Sequence, residues 1–423
     1  MAQKAVILVV MAYCFFAGVV HGQGKETLWV LDETGVVYGY DVGTWDLEHK
    51  IHLGNHLHGI CVLGDQETIV VSHMNAKSGR GELVWIDTRD GQILDLLEVG
   101  DFPDEIECSR DGKWIYVACW DGSWWVIDGH KKKLFKKIRT AGLPHNTTIS
   151  PDGARMFLSP LGEPGRITVI DLQHGHEPVG VISMDGSPRP ASFSGDGKYL
   201  YSQVDGLAGF QVVDASKLEV ICTVEHSIDK DSRCHGLSVR PQSTEIWSCA
   251  SHQSLIFITE WTSSRETPLG QVETPGHPYW ISFSSGGDYA FISLVPDRKL
   301  LKKLVLVSFF VGFCGIVVLV VSFLRLGRRF PFLRSVNLAR HALIWTLVWL
   351  IVACGGYLYR ETVQGGLLVI DCNSRKVVAN LDVGRIPKRS QVSGGRLGSS
   401  SLETLRQLEQ QLIVKKERGR SSG

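Results

Sequence analysis

The stretch "VGDFPDEIECSRDGKWIYVACWDGSWWVIDGHKKKLFKKIRTAG" (99–142) contains four short segments in which apolar and polar residues alternate. Gly, Asp or Pro residues separate the segments. Alternation with a period of two is typical of half-buried β-strands, and the separating residues are those that turns favour. The stretch therefore predicts one antiparallel unit of four strands, which we designate a to d in chain order.

The same phrase recurs along the chain. Residues 143–186 repeat it whole, and further copies open at residues 55, 187, 233 and 277, about 42–46 residues apart. Each copy has a turn of the "SPDG" kind after strand a and a "VID"-like segment in strand c. Four strands at this period are the signature of a β-propeller blade.

The two ends of the chain each supply part of a blade. Residues 27–54 provide only strands b, c and d, whereas "VGRIPKRSQV" (383–392) provides only strand a. Joining them in one blade closes the ring and removes the open edges of the sheets. The sequence thus predicts an all-β, seven-bladed β-propeller closed by N- and C-terminal strands in one blade. A solenoid is the second interpretation, but the partial blade at each end argues against it.

Three segments carry a resemblance to a known family: "LPHNTTISPDGARMFL" (143–158), "GFQVVDASKLEVI" (209–221) and "GGLLVIDCNSRKVVANLDVGRIPKR" (365–389). They resemble the YVTN-type propellers (YncE-like proteins), which are related to lactonase-type propellers and to the haem-d-binding propeller of nitrite reductase. The resemblance implies the propeller fold. It does not imply one function, because this fold hosts many.

An apolar segment interrupts the last repeat, which breaks off after "AFISLVPD" (290–297) and resumes at "GGLLVID" (365–371). Two runs in between, 304–324 and 342–359, are long and apolar enough to predict membrane-spanning helices. The fold prediction therefore includes a two-helix transmembrane hairpin inserted in the last blade. A hairpin that only lies on the bilayer is the alternative.

The sequence predicts five parts in this chain. The N-terminal apolar stretch has the form of an export signal, with an uncleaved anchor as the alternative. The final residues combine a Gly/Ser-rich linker with Leu residues at helical spacing. The predicted parts are a signal peptide (1–22), the first part of the propeller (23–297), the inserted transmembrane hairpin (298–361), the propeller remainder and closing strand (362–392), and a flexible linker with a short amphipathic helix (393–423).

Charge is divided unevenly along the chain. Residues 1–297 hold 23 Lys and Arg against 38 Asp and Glu, whereas residues 298–423 hold 21 against 6. This pattern predicts an acidic propeller on the periplasmic or extracellular side, anchored to membrane lipid through the hairpin and its basic flanks. A membrane or periplasmic protein is the expected partner, and the acidic body argues against nucleic acid. The oligomeric state stays open.

One residue per blade is expected at the mouth of the central channel, where the inner strands begin. Every member of this set is polar or titratable, and the loops between strands b and c add three more side chains on the same face. The predicted ligand-binding residues are His58, Asp104, His145, Arg189, His235, Tyr279, Lys388, His73, Trp120 and His252.

These residues favour a ligand-binding or protein-interaction scaffold over an enzyme. The alternatives are a lactonase-like hydrolase that uses the His/Asp/Arg ring for acid–base catalysis, and a solvated channel without a ligand. The resemblance also implies a haem-type cofactor, with one His as axial ligand and Arg or Lys for the carboxylates. No cofactor is required by the sequence, which lacks the GxSxG, HExxH, P-loop and CxxCH motifs.

Overall fold

The computed structural model describes residues 25–54, 56–75, 78–226, 234–262, 265–295, 365–384 and 386–394. These residues form seven antiparallel sheets of four strands each. The chain divides into two compact units, one made of Met1–Leu294 and Gly366–Gly423, the other of Val295–Gly365. The second unit lies outside the described residues except at its two ends.

Each sheet is one blade, ordered from the inner strand a to the outer strand d. The closing blade contains β28 (Pro387–Ser393), β1 (Thr27–Asp32), β2 (Val36–Asp41) and β3 (Leu47–His52). The second blade contains β4 (Ile60–Val62), β5 (Thr68–Met74), β6 (Gly81–Asp87) and β7 (Ile93–Val99). The third contains β8 (Pro103–Cys108), β9 (Trp114–Cys119), β10 (Ser123–Asp128) and β11 (Lys133–Ile138). The fourth contains β12 (Leu143–Ile149), β13 (Arg155–Leu161), β14 (Arg166–Asp171) and β15 (Glu177–Ser183). The fifth contains β16 (Pro188–Phe193), β17 (Tyr199–Val204), β18 (Gly209–Asp214) and β19 (Glu219–Glu225). The sixth contains β20 (Cys234–Val239), β21 (Glu245–Ala250), β22 (Leu255–Thr262) and β23 (Arg265–Glu273). The last contains β24 (His277–Phe283), β25 (Tyr289–Val295), β26 (Gly366–Asp371) and β27 (Lys376–Leu381).

The closing blade joins the two ends of the propeller. Strand β1 pairs antiparallel with β28, so that Trp29 lies opposite Gln391. The indole N–H of the fully buried Trp29 donates a hydrogen bond to the hydroxyl of Ser393 over 3.0 Å. The predicted seven-bladed ring, closed by strands from both ends of the chain, is confirmed.

The predicted two-helix hairpin is corrected. The described residues form strands, turns and loops without a helix, and none of their elements is a helix able to cross a membrane. Both expected spans, 304–324 and 342–359, lie outside the described residues. An apolar run indicates only that burial is favourable, since hydropathy does not distinguish lipid from protein as the burying medium. In the described part of the chain the fold is therefore an all-β propeller, and no membrane-spanning helix belongs to it.

The last blade is assembled from distant parts of the chain. Strand β25 pairs with β26 from Tyr289 opposite Asp371 to Leu294 opposite Gly366. Residues 296–365 lie between these two strands in the sequence. The hydrogen-bonded ladder between β25 and β26 is therefore regular, because its register is fixed by the strands themselves and not by a tight turn.

The "SPDG" turns have a common hydrogen-bonding pattern between strands a and b. In the turn at 150–153, the Ser150 hydroxyl accepts a hydrogen bond from the backbone N–H of Arg155 over 2.9 Å, and Asp152 accepts one from Ala154. Gly153 has φ 71°, a conformation in which a Cβ would be strained. Serines at three other turns, Ser109, Ser194 and Ser284, accept the same bond.

The hydrophobic core lies between neighbouring blades. One cluster packs Trp247 and Ile256 of one blade against Ala290 and Ile370 of the next. Another packs Phe291 of the last blade against residues of the closing blade. Burial contributes about 25 cal/mol per Å² of apolar surface, so these layers hold each blade to its neighbours and thereby fix the inner strands around the channel.

Candidate functional site

Most inner strands carry an irregularity near the point where they begin. In five of them the ladder to strand b shifts register, between Pro103 and Ile106, between Leu143 and Asn146, between Pro188 and Ala191, between Cys234 and Leu237, and between Pro387 and Arg389. Extra residues in a strand redirect side chains and are frequent beside functional sites. Five of the predicted channel residues lie within these shifts: Asp104, His145, Arg189, His235 and Lys388.

Asp104 is the centre of one cluster at the channel mouth. Its carboxylate is only 5% exposed. It forms ion pairs with the Nδ1 atom of His58 at 2.5 Å and with the Nε2 atom of His145 at 3.5 Å. The indole N–H of Trp120 donates a hydrogen bond to it over 3.3 Å. The structure thus brings four of the predicted residues together around one buried carboxylate.

Electrostatics keep this carboxylate ionised. Burial alone would raise the pKa of Asp104, but the charges of His58, His145 and Arg389 outweigh it and hold that pKa well below its usual range. Burial, followed by the charge of His58, lowers the pKa of His145 despite the opposing effect of Asp104. At neutral pH the cluster therefore holds an ionised carboxylate beside a neutral, buried imidazole of His145.

His235, Tyr279 and Lys388 form a second cluster at the mouth. The ring of His235 stacks on Tyr279 with centroids 3.9 Å apart, and the Lys388 ammonium lies 4.7 Å from the same tyrosine ring. Burial is the main cause that lowers the pKa of His235 well below its ordinary value, and any positive charge on His145 and the nearby Arg and Lys side chains acts in the same direction. His235 is therefore a neutral imidazole in the folded protein.

The other predicted residues have separate partners. Arg189 forms two parallel hydrogen bonds to Asp205, at 2.7 and 2.6 Å. His73 is buried and forms an ion pair with Glu82 at 3.2 Å. His252 is exposed, and among the described residues no contact joins it to either cluster. The arrangement therefore does not unite all ten predicted residues in one site.

A further layer of polar residues lies directly below the mouth. Glu105 and Arg389 form a buried ion pair, and the side-chain amide of Asn146 donates a hydrogen bond to the same glutamate. The Arg389 guanidinium also lies 3.8 Å from the ring of Trp280. These groups come from the inner strands of four blades, so the layer crosses the channel.

Sequence reasoning missed this second layer. Glu105, Asn146, Trp280 and Arg389 each follow a predicted mouth residue by one position. In a regular strand, neighbouring residues point to opposite faces, so one residue per blade was assigned to the channel. The register shift removes that alternation in strands such as β8 and β12. Adjacent polar pairs at the start of an inner strand were the signal that could have revealed the layer.

An aromatic pair lies beside the Asp104 cluster. Phe102 and Trp120 are 48% and 50% exposed, and their ring centroids are 5.6 Å apart. Phe102 has φ 42°, and His56, whose ring is 6.4 Å from it, has φ 60°. A bulky residue with positive φ is an outlier that surrounding structure must hold in place. The mouth thus presents an exposed aromatic surface next to its buried carboxylate.

The residues of the mouth do not fit the haem that the resemblance implies. His58 would be a suitable axial ligand, because Asp104 holds its other ring nitrogen. The carboxylates of a haem would also need cationic partners, but Arg189 is paired with Asp205 and Lys388 with Glu33. In the described part of the chain, no group of three His, Cys, Asp or Glu residues is arranged to hold a metal ion.

Comparisons with known proteins identify the architecture. No family model matches the sequence. No curated protein matches it either. Among solved structures, hydrazine synthase of Kuenenia stuttgartiensis has 18% identity and a TM-score of 0.55 over 63% of this chain and 88% of that chain. Dihydro-heme d1 dehydrogenase NirN has 11% identity and a TM-score of 0.52 over 86% of this chain and 74% of that chain. U3-55K has 10% identity and a TM-score of 0.55 over 65% of this chain and 89% of that chain. At these identities the likeness shows the fold alone, which is that of a seven-bladed β-propeller.

Proposed function

We propose that this protein is a binding propeller that takes a small ligand with a flat ring at the mouth of its channel. The observation that carries the proposal is the exposed pair Phe102 and Trp120 beside the buried Asp104 cluster. Ligand sites combine aromatic surface with a few convergent polar groups, and the mouth has both.

The packing of the blades does not require this arrangement. A folded protein gains little by leaving half of a Phe and half of a Trp ring in water, and it loses free energy by holding Phe102 at positive φ. Burying the charge of Asp104 is also costly unless partners surround it. Binding gives a reason for all three costs, since a stacked ligand would cover the rings and contact the polar cluster.

Each part of the mouth has a distinct role in this proposal. The ligand ring stacks on Trp120 and Phe102, as aromatic rings do at offset distances of 4.5–7 Å. His58 is partly exposed, and Asp104 contacts only its Nδ1 atom. The opposite ring nitrogen, Nε2, is therefore the group that exchanges a hydrogen bond with the polar end of the ligand.

A lactonase-like hydrolase is the second candidate. The observation in its favour is the close pair of His58 and Asp104, in which a carboxylate orients an imidazole as it does for a general base. An aromatic lactone would place its ring on Trp120 and its carbonyl near His58. The two candidates use the same residues and differ only in whether a bond is broken.

The setting that we propose is extracytoplasmic and rests on the sequence of residues 1–22 and on the acidic body. A membrane or periplasmic protein is the proposed macromolecular partner. Membership of the YVTN-type family is likewise a proposal, which the three quoted segments support.

Two small probes separate the candidates. Coumarin has a flat ring and a carbonyl acceptor, and its binding to the purified chain can be followed by titration calorimetry. We expect Trp120→Ala and Asp104→Asn each to weaken binding by about tenfold or more, whereas Phe135→Ala, at an exposed ring on an outer strand, leaves it unchanged. Coumarin binding that is unchanged in Trp120→Ala and in Asp104→Asn would overturn the proposal. Hydrolysis of dihydrocoumarin that is lost in His58→Gln would favour the hydrolase instead.

A further inference from the structure

A cavity of about 350 Å³ lies deeper in the channel, below the layer of Glu105 and Trp280. The residues around it belong to the inner strands β8, β12, β16, β20 and β24 and to the turns that follow two of them. Since the inner strands begin at the mouth, this cavity opens toward the opposite face of the propeller. Its volume is within the range of pockets that hold small molecules.

The lining combines two acids, Glu105 and Glu107, and Arg110 with hydroxyl and apolar groups. Glu107 and the hydroxyl residues Thr148, Ser192 and Ser238 provide the polar part, and Phe193 and Ile281 provide apolar surface. The Ser192 hydroxyl accepts a hydrogen bond from the backbone of Val239, which leaves one of its lone pairs available. A ligand here would meet both hydrogen-bond acceptors and apolar surface.

The carboxylate of Glu107 differs from that of Glu105 above it. Glu105 is neutralised by Arg389 and hydrogen-bonded by Asn146. The Glu107 carboxylate accepts a hydrogen bond from the backbone N–H of Cys108. Within the described residues it forms no ion pair, and Arg110, which also lines the cavity, is exposed and does not pair with it. A partly buried carboxylate without a cationic partner is costly to ionise, which makes Glu107 the group in this cavity best suited to a cationic ligand.

We infer that this cavity is a second binding site, for a small organic cation with a primary ammonium group and a short apolar body. The three N–H donors of the ammonium would be shared between the Glu107 carboxylate and the hydroxyl oxygens of Ser192 and Ser238. The apolar body would contact Phe193 and Ile281. The site does not depend on the function of the channel mouth.

Proton release provides a signature of this binding. Burial, followed by the charge of Glu105, raises the pKa of Glu107 to about 8. The free carboxyl is therefore largely protonated at pH 7, and a bound cation stabilises its ionised form. Binding should then release about one proton at pH 7 and should tighten as the pH rises from 6 to 9, because the ligand no longer has to displace a proton.

The test uses three probes of similar shape and different charge: n-butylammonium, n-butanol and n-butyrate. Titration calorimetry of the purified full-length chain, repeated in buffers of different ionisation enthalpy, measures affinity and proton release together. We expect binding of n-butylammonium alone, and a weakening of about tenfold or more in Glu107→Gln, with the proton release abolished. Glu67→Gln, on the surface, serves as the control that retains binding.

Other outcomes would overturn the inference. Equal binding of n-butanol would show that the cavity recognises only apolar bulk, and binding of n-butyrate would show that its field is cationic. No measurable binding of n-butylammonium at pH 9 would also contradict it. A thermal unfolding curve for Glu107→Gln guards against loss of fold, since removing an unpaired carboxylate should leave the melting temperature unchanged or higher.

Discussion

Glu105 and Arg389 lie 284 positions apart in the sequence and form a buried ion pair across the channel. The pair joins the third blade in chain order to the closing blade. Asn146 from a neighbouring blade and the Trp280 ring from another complete its surroundings. One electrostatic contact thus connects four blades at the centre of the ring, above the lower cavity and below the mouth.

We expect loss of one partner of this pair to be far more damaging than loss of both. Glu105→Gln leaves the Arg389 charge buried without its carboxylate and should cost about 3–5 kcal/mol of unfolding free energy. The double variant Glu105→Gln/Arg389→Met should lose much less than the sum of the single variants. Urea denaturation of Glu105→Gln, Arg389→Met and the double variant measures the coupling free energy between the two residues. Glu98→Gln, in the exposed pair with Arg80, is the control and should cost less than about 1 kcal/mol. Additive single effects would show that the pair does not act as a unit.

Removal of strand β28 should destabilise the whole propeller. A chain that ends at residue 386 lacks the inner strand of the closing blade, so β1 becomes an open edge and Trp29 loses its Ser393 partner. We expect this chain to lose its cooperative thermal transition. A chain that ends at Gly394 keeps β28 and is the matched control. Similar melting temperatures for the two chains would contradict a closed ring.

Stability should fall in mild acid because of His226. This residue is buried, accepts or donates a hydrogen bond with Ser248 at 2.8 Å, and stacks on Phe257. Burial lowers its pKa to about 4, whereas an unfolded histidine titrates near 6.5. The unfolded chain therefore binds the extra proton first. The contribution of His226 to the free energy of unfolding is complete above pH 6.5 and is lost as the pH falls toward 4. The loss amounts to about 3 kcal/mol in all.

Denaturation measured between pH 7 and 4.5 checks this dependence. His226→Gln is neutral at every pH and should reduce the slope of unfolding free energy against pH, although His145 and His235 contribute in the same direction. His174→Gln, at an exposed site, should leave the slope as it is. An unchanged slope in His226→Gln would show that this histidine is not the group that titrates.

Replacing Phe102 should raise the stability of the fold and weaken ligand binding. Asn tolerates positive φ better than Phe, so Phe102→Asn should relieve strain and raise the unfolding free energy by about 1 kcal/mol. The same substitution removes half of the aromatic surface and should weaken coumarin binding. Phe135→Asn provides the comparison, because that ring is equally exposed but lies on β11, and its loss should lower stability. A less stable Phe102→Asn protein would show that the ring supports the fold.

The number of blades and their closure followed from the sequence alone. Period-two alternation and turn residues recur because each strand must bury one face and because four of the a–b connections use the same hydrogen-bonded turn, as at Ser150 and Gly153. These are local requirements, so each repeat carries them in its own residues. Residues 27–54 and 383–392 identified the closing blade for the same reason. The sequence also located the mouth residues Asp104 and His145, because they begin inner strands.

Only the tertiary structure decided which of those residues meet and which groups join them. The register shifts in the inner strands turn Glu105 and Asn146 into the channel, and the alternation rule for a regular strand does not predict such a shift. The pairing of Glu105 with Arg389, the exposure of Phe102 and the lack of a cationic partner for Glu107 each depend on strands from different blades. Contacts across a ring join residues that are hundreds of positions apart, so no local sequence rule can specify them, whereas the packing of seven blades does.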